Sequence, residues 1–162
     1  MILSPHIITG AALGANFHNP YLLPLGAMAL HHLLDRAPHY DYQIKPFSSR
    51  VVLKVFLDIS IGLLTVTIIY LFISPNINLA YTALGIFFGT LPDGILLASF
   101  IFKNNLLLKY QKLHSFLHFH DKNNKEALNR NFTLKELFRK KFFWIGAFTQ
   151  LITLIVAVYF LA

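Results

Sequence analysis

Apolar residues fall in three long runs and one broken one. The long runs extend from about Val51 to Ser74, from about Leu79 to Phe102 and from about Phe142 to Ala162. Each supplies the ~20 mostly apolar residues that a helix needs to cross ~30 Å of hydrocarbon. Pro92-Asp93-Gly94 falls inside the second run and predicts an interruption of that helix. The region from Ile2 to Leu34 is also apolar, but the turn signal Asn16-Phe17-His18-Asn19-Pro20 divides it. Each half is only about 14 residues long, too short to cross alone. A helical hairpin is therefore expected, either dipping into the membrane and returning or buried as a pair. A cleaved leader fits poorly, because no basic stretch precedes the apolar run and the chain stays apolar past Pro20.

Between the second and third runs the pattern changes. Leu106, Leu107, Leu108, Tyr110, Leu113, Phe116, Leu117 and Phe119 interleave with Lys103, Lys109 and Lys112. That mixture suits a helix lying at the headgroups with its basic side chains toward anionic lipid. Residues 122–131 read as loop, and Thr133-Leu-Lys-Glu136 has the spacing of a capping box, which places the start of the last helix near Thr133. The expected fold is all-α, a polytopic membrane helical bundle. It comprises three full spans, an N-terminal helical hairpin and an interfacial helix, in a single integral membrane domain over residues 1–162.

Composition sharpens this. Charged residues make up 13% of the 162-residue chain, about half of the ~25% usual in soluble domains, and the mean hydropathy is +0.56. That excludes a disordered chain or a disulfide-stapled module. The absence of Cys removes thiolate metal sites, Cys nucleophiles and thiol redox chemistry. The net charge of +7 does not indicate a nucleic-acid partner, because most of the Lys and Arg lie between residues 103 and 141, with Arg36, Lys45 and Arg50 in another loop. The Pro75-Asn76-Ile77-Asn78 link carries no charge. By the positive-inside rule the basic loops are expected in the cytoplasm and the link outside.

Only seven acidic residues and eight His are present. Ionisable groups within membrane segments are costly and usually face a bundle interior or a cavity. His6, His31, His32, Asp35, His39, Asp41, Asp58, Asp93, His114, His118, His120 and Asp121 sort toward the basic side, and His18 toward the hairpin turn. His31 and Asp35 are i and i+4 and share a helix face, as do His114 and His118. Pro38-His39-Tyr40-Asp41 adds an imidazole and a carboxylate just past the hairpin. A donor set of His and carboxylate without Cys suits Zn²⁺, Mn²⁺ or Fe²⁺, and tolerates Mg²⁺. A single such His is more often an ordinary hydrogen-bonded side chain. Two spaced pairs and two intramembrane Asp in so charge-poor a chain point to a shared site. His32 is expected on a different face from the His31/Asp35 pair. Asp58 has two readings, an intrahelical pair with Lys54 or a role in the site.

These motifs resemble the predicted inner-membrane metal-dependent hydrolases, small prokaryotic proteins distantly similar to zinc-dependent phospholipase C. The resemblance rests on His6 in SPHIITGAALGA, Leu91-Pro92-Asp93, the pair His114 and His118 in HSFLHFHD, and the His31-x-x-x-Asp35 element in HHLLDRAPHYDY. It covers roughly residues 6 to 118. The His-x-x-x-Asp element stands early here, so the motif order is permuted, and Gly94-Ile95 follows Leu-Pro-Asp where the family has a second Asp-His pair. The resemblance implies a prokaryotic plasma-membrane protein. It also implies a metal-dependent hydrolase, of phosphoesterase type, acting on a lipid or amphiphile at the cytoplasmic face.

The expected metal ligands are His6, His31, Asp35, His39, Asp93, His114 and His118, with zinc foremost among the ions. Asp41 or Asp58 is the expected general base or orienting partner. The expected partners are the lipid bilayer and a lipid or amphiphilic phosphate. The alternative is a non-enzymatic protein, a metal or proton carrier or a scaffold, that uses the same ligands. A carrier should have polar groups through the whole bilayer depth, whereas the outer halves of these segments are nearly free of charge.

Overall fold

The computed structural model describes residues 2–39, 49–102, 104–118 and 141–162. Among them are six helices and no strand: α1 (Leu3–Asn16), α2 (Leu22–Arg36), α3 (Ser49–Phe72), α4 (Leu79–Ile101), α5 (Asn105–Leu117) and α6 (Lys141–Leu161). The segments Ser49–Phe72, Leu79–Ser99 and Trp144–Leu161 are long and apolar enough to cross a membrane. Their outward faces carry large apolar side chains such as Phe56, Leu64, Phe87, Phe148 and Tyr159. The expected helix start near Thr133 lies outside the described residues, as do Asp41, His120 and Asp121.

Short α1 is the core of the bundle. It packs most extensively on α4 and also on α6 and α3, with little contact to its hairpin partner α2. Ten of its fourteen residues are buried, and Ile7, Ile8, Ala11 and Ala12 join Val66, Ile69, Ala157 and Leu161 in the apolar core. Small residues permit this. A Cβ added at Gly10 or Gly14 would run into the α4 backbone at Gly85 or Tyr81, and one at Gly85 would meet the Gly10 carbonyl. Close approach of backbones over Gly is the main route to tight helix packing where lipid, not water, is the competing solvent.

The helix ends are set by polar side chains. The Asp58 carboxylate, buried on α3, accepts from the Ser4 backbone N–H at 3.0 Å and so caps the start of α1 with negative charge. Asn19 Oδ1 accepts from the Tyr21 and Leu22 N–H groups at the start of α2. Asn78 and Asn104 cap α4 and α5 in the same way. At the other end of α1, the Asn16 amide donates to the Phe160 carbonyl on α6 at 2.6 Å. His18 fills the hairpin turn, as expected, through a 2.8 Å hydrogen bond to the Ala15 carbonyl.

One expectation is corrected. Pro92-Asp93-Gly94 does not interrupt α4, which runs continuously from Leu79 to Ile101. Pro92 removes one backbone donor, but packing on both sides holds the helix together: Pro92 itself is fully buried. The Tyr110 hydroxyl on α5 donates to the Pro92 carbonyl at 3.1 Å, and the nearby Gly89 carbonyl has a partner from α2.

Candidate metal centre

Four elements bring ionisable side chains to one place. His6 comes from the first turns of α1, His31, His32 and Asp35 from the last turns of α2, and Asp93 from α4. His114 lies near the end of α5, and His118 is the residue that ends it. His39 follows α2 beyond Pro38. His6, His31, Asp35 and His114 are each no more than 2% exposed. The Asp93 and His118 side chains keep 21% and 15% of their exposure, so the cluster opens on that side.

Asp35 is the centre. Its Oδ1 lies 3.2 Å from His6 Nε2 and 3.8 Å from His118 Nε2. Its Oδ2 lies 3.0 Å from His31 Nε2 and 3.7 Å from His114 Nε2. Asp93 Oδ1 is 3.7 Å from both His31 Nε2 and His114 Nε2. Two atoms bound to one ion at ~2.0–2.2 Å stand ~3.0 Å apart at a right angle and ~3.4 Å apart at the tetrahedral angle. The two shorter separations are of that size, and the other four, at 3.7–3.8 Å, are slightly longer.

Hydrogen bonding identifies which atoms face the centre. His31 Nδ1–H donates to the Gly89 carbonyl at 2.8 Å, which in a neutral ring leaves a lone pair on Nε2 pointing at the Asp35 carboxylate. His31 Nε2 and both ring nitrogens of His114 are buried without a hydrogen-bond partner, as are His6 Nδ1 and His32 Nδ1. So many orphaned imidazole nitrogens are expensive in a packed interior unless something other than a hydrogen bond satisfies them. A divalent cation would do so for His31 Nε2 and His114 Nε2, which face Asp35 and Asp93, and the residues present fit one. Burial also pushes the His114 and His39 imidazoles down to about 4, which keeps them neutral and able to donate lone pairs near pH 7.

All seven residues expected as ligands meet here. They form three overlapping groups whose donor atoms lie within 4.8 Å of one another: His31, His32, Asp35 and His114; His6, His31 and Asp93; and Asp35, His39 and His118. His32 was expected on another face, but it joins the first group. Its ring sits edge-on to that of His31, with centroids 5.2 Å apart, and reaches His114 at 5.7 Å. Adjacent helix positions diverge by ~100°, but a long imidazole can swing back toward a partner on another helix, which spacing within one helix does not reveal. Asp58 lies at the α1 cap, bonded to Ser4, and forms no ion pair with Lys54 among the described residues.

An open apolar groove of about 530 Å³ lies between α1, α2 and α6, lined by Thr9, Leu13, Leu30, Leu34, Ile152 and Phe160 among others and by none of the cluster residues. Leu30 and Leu34 each immediately precede a cluster residue, His31 and Asp35. No family model, curated protein or solved structure matches the chain.

Proposed function

We propose that the chain is a membrane-embedded metal-dependent hydrolase, of phosphoesterase type, acting on a lipid or amphiphilic phosphate at the cytoplasmic face of a prokaryotic plasma membrane. The observation that carries this reading is the convergence of His6, His31, Asp35, Asp93 and His114, with buried imidazole nitrogens of His31 and His114 that face the carboxylates and have no hydrogen-bond partner. A divalent ion, zinc foremost, would supply a bound water of lowered pKa and offset charge on phosphoryl oxygens. The protein's part is to hold the donors. Gly89 fixes the His31 tautomer, and burial keeps His114 neutral. Asp93, whose side chain is partly exposed, stands on the side from which a headgroup arrives.

Depth and shape support an amphiphile. Asp93 is fourteen residues along α4 from Leu79. At 1.5 Å per residue that is ~21 Å into a core ~30 Å thick. The cluster therefore lies nearer the basic loops than the uncharged link. The groove against Leu30 and Leu34 is of the size that holds a small ligand, and its apolar lining suits a hydrocarbon chain.

The test is metal analysis of the purified protein together with hydrolysis of phosphomonoester and phosphodiester lipids in detergent and in vesicles. We expect bound zinc, manganese or iron, and turnover lost with chelation or with His114→Ala. A metal-free protein whose His31→Ala and His114→Ala variants are no less stable than the parent overturns the reading. Tightly held metal without turnover of any such lipid would favour a carrier or scaffold.

A further inference from the structure

We propose that the cluster holds two metal ions and that Asp35 bridges them, Oδ2 serving an inner site with His31, His114 and Asp93 and Oδ1 serving an outer site with His39 and His118. The proposal rests on the reading that the cluster binds metal, and adds a second site to it.

The number of donors is the first ground. Zinc in a protein takes four ligands, of which an open site supplies only three from side chains. The described residues bring eight imidazole or carboxylate side chains into overlapping groups, twice what one such ion accepts. The second ground is the division of Asp35. Its two oxygens face different imidazoles, His31 and His114 on one side and His6 and His118 on the other.

The outer group is a triad in its own right, with donor atoms of Asp35, His39 and His118 within 4.8 Å of one another. His39 is set for it as His31 is for the inner group. Its Nδ1–H donates to the Ala37 carbonyl at 2.7 Å, leaving the Nε2 lone pair free in a neutral ring. A backbone carbonyl on the far nitrogen is the usual way a metal-binding His is oriented. The His39 ring meets the His118 ring edge-on, with centroids 4.7 Å apart, although the two lie on segments far apart in the chain. Pro38 stops α2, and His39, next in the chain, is partly buried against His118.

The imidazoles of the two groups differ in exposure: His31 and His114 are buried, whereas His39 and His118 are only partly so.

The experiment uses the full chain in detergent, stripped with chelator, reloaded with Zn²⁺ and freed of excess ion. Metal per chain is read by mass spectrometry, with Mn²⁺ loading followed by electron paramagnetic resonance. Two ions per chain are expected, with a spin-coupled Mn²⁺ signal. His39→Ala/His118→Ala should retain one ion and lose the coupling. Asp35→Asn should lose the coupling as well. One ion in the parent chain overturns the bridge while leaving the proposed hydrolase standing, and no ion in the parent overturns both. Two ions retained in the double variant would place the second ion elsewhere and overturn the outer site. Loss of both ions from a double variant that still elutes as a monodisperse species would show that the sites are not separate, which also overturns it. Should the double variant fail to fold, His39→Gln and His118→Gln give the same reading with smaller changes of shape.

Discussion

His31 donates through Nδ1 to the carbonyl of Gly89, 2.8 Å away and 58 residues later in the chain. This bond joins α2 to α4 and decides which nitrogen of His31 faces the carboxylates. Gly89 is three residues before Pro92, where α4 lacks a backbone donor, so the carbonyl that orients the ring sits beside the helix's weakest turn. Replacing His31 by Ala should lower divalent-ion affinity by more than the ~10–100-fold that loss of an outer hydrogen-bond partner costs. Titration calorimetry with Zn²⁺ on the parent and on His31→Ala checks this, and equal affinities would remove His31 from the site.

Asp58 provides a contrast. Its carboxylate is occupied by the Ser4 N–H, so Asp58→Ala should destabilise the fold by ~1–3 kcal/mol by leaving that buried donor unmatched. The metal content of the folded fraction should not change. Thermal unfolding in detergent and metal analysis of the same sample separate the two effects. Lost turnover in a stable, metal-replete Asp58→Asn protein would instead make this carboxylate part of the chemistry.

The α1–α4 contact predicts a steep dependence on side-chain size. Gly85→Val places new atoms against the Gly10 carbonyl, backbone against backbone, and overpacking of that kind costs ~1–3 kcal/mol or more. Gly94 on the same helix has nothing within 4 Å of an added Cβ, so Gly94→Ala should be neutral or gain up to ~1 kcal/mol. Melting temperatures of the two variants in one detergent test the pair, and equal melting would mean that α1 does not lie on α4 as described.

Acid should destabilise the metal-free protein. In the folded chain His39 and His114 stay neutral down to about 4, because burial penalises the charged ring, whereas an unfolded His takes its proton near 6.5. Between those values the unfolded chain binds more protons, so stability falls as pH falls from about 6.5 toward 4 and is flat above. Unfolding of the chelated protein from pH 8 to pH 4 reads this slope. His114→Gln should make it shallower.

Much of this arrangement is legible in the chain itself. The three long helices follow from apolar run length, and the seven expected ligands from the scarcity of ionisable residues in so apolar a protein. The i,i+4 spacing of His31 with Asp35 puts both on one face, and the structure keeps them there. What could not be read is whatever depends on a neighbour distant in sequence. Pro92 breaks an isolated helix, but here α5 and α2 bond to the carbonyls around it. Spacing alone puts His32 on a different face from its own helix's pair, yet its ring joins them beside His114 from another helix. Asp58 has a Lys one turn before it, yet its partner is a backbone group at the start of α1, 54 residues away. Nor does any local pattern mark a fourteen-residue helix as the centre of the bundle, because glycine spacing has meaning only once the opposing backbone is known.

The central place of α1 also sets an order of events. It is the first described helix to leave the ribosome and it is too short to hold a position across the membrane by itself, yet the surfaces that enclose it belong to α3, α4 and α6, which are made later. Until α4 arrives, His6 has no Asp93 opposite it, and until α6 arrives, Asn16 has no Phe160 carbonyl to hold. Assembly of the centre is thus a late step of biogenesis. A ribosome-stalled chain ending before Lys141 would carry every proposed ligand and still lack one wall of the helix that presents the first of them.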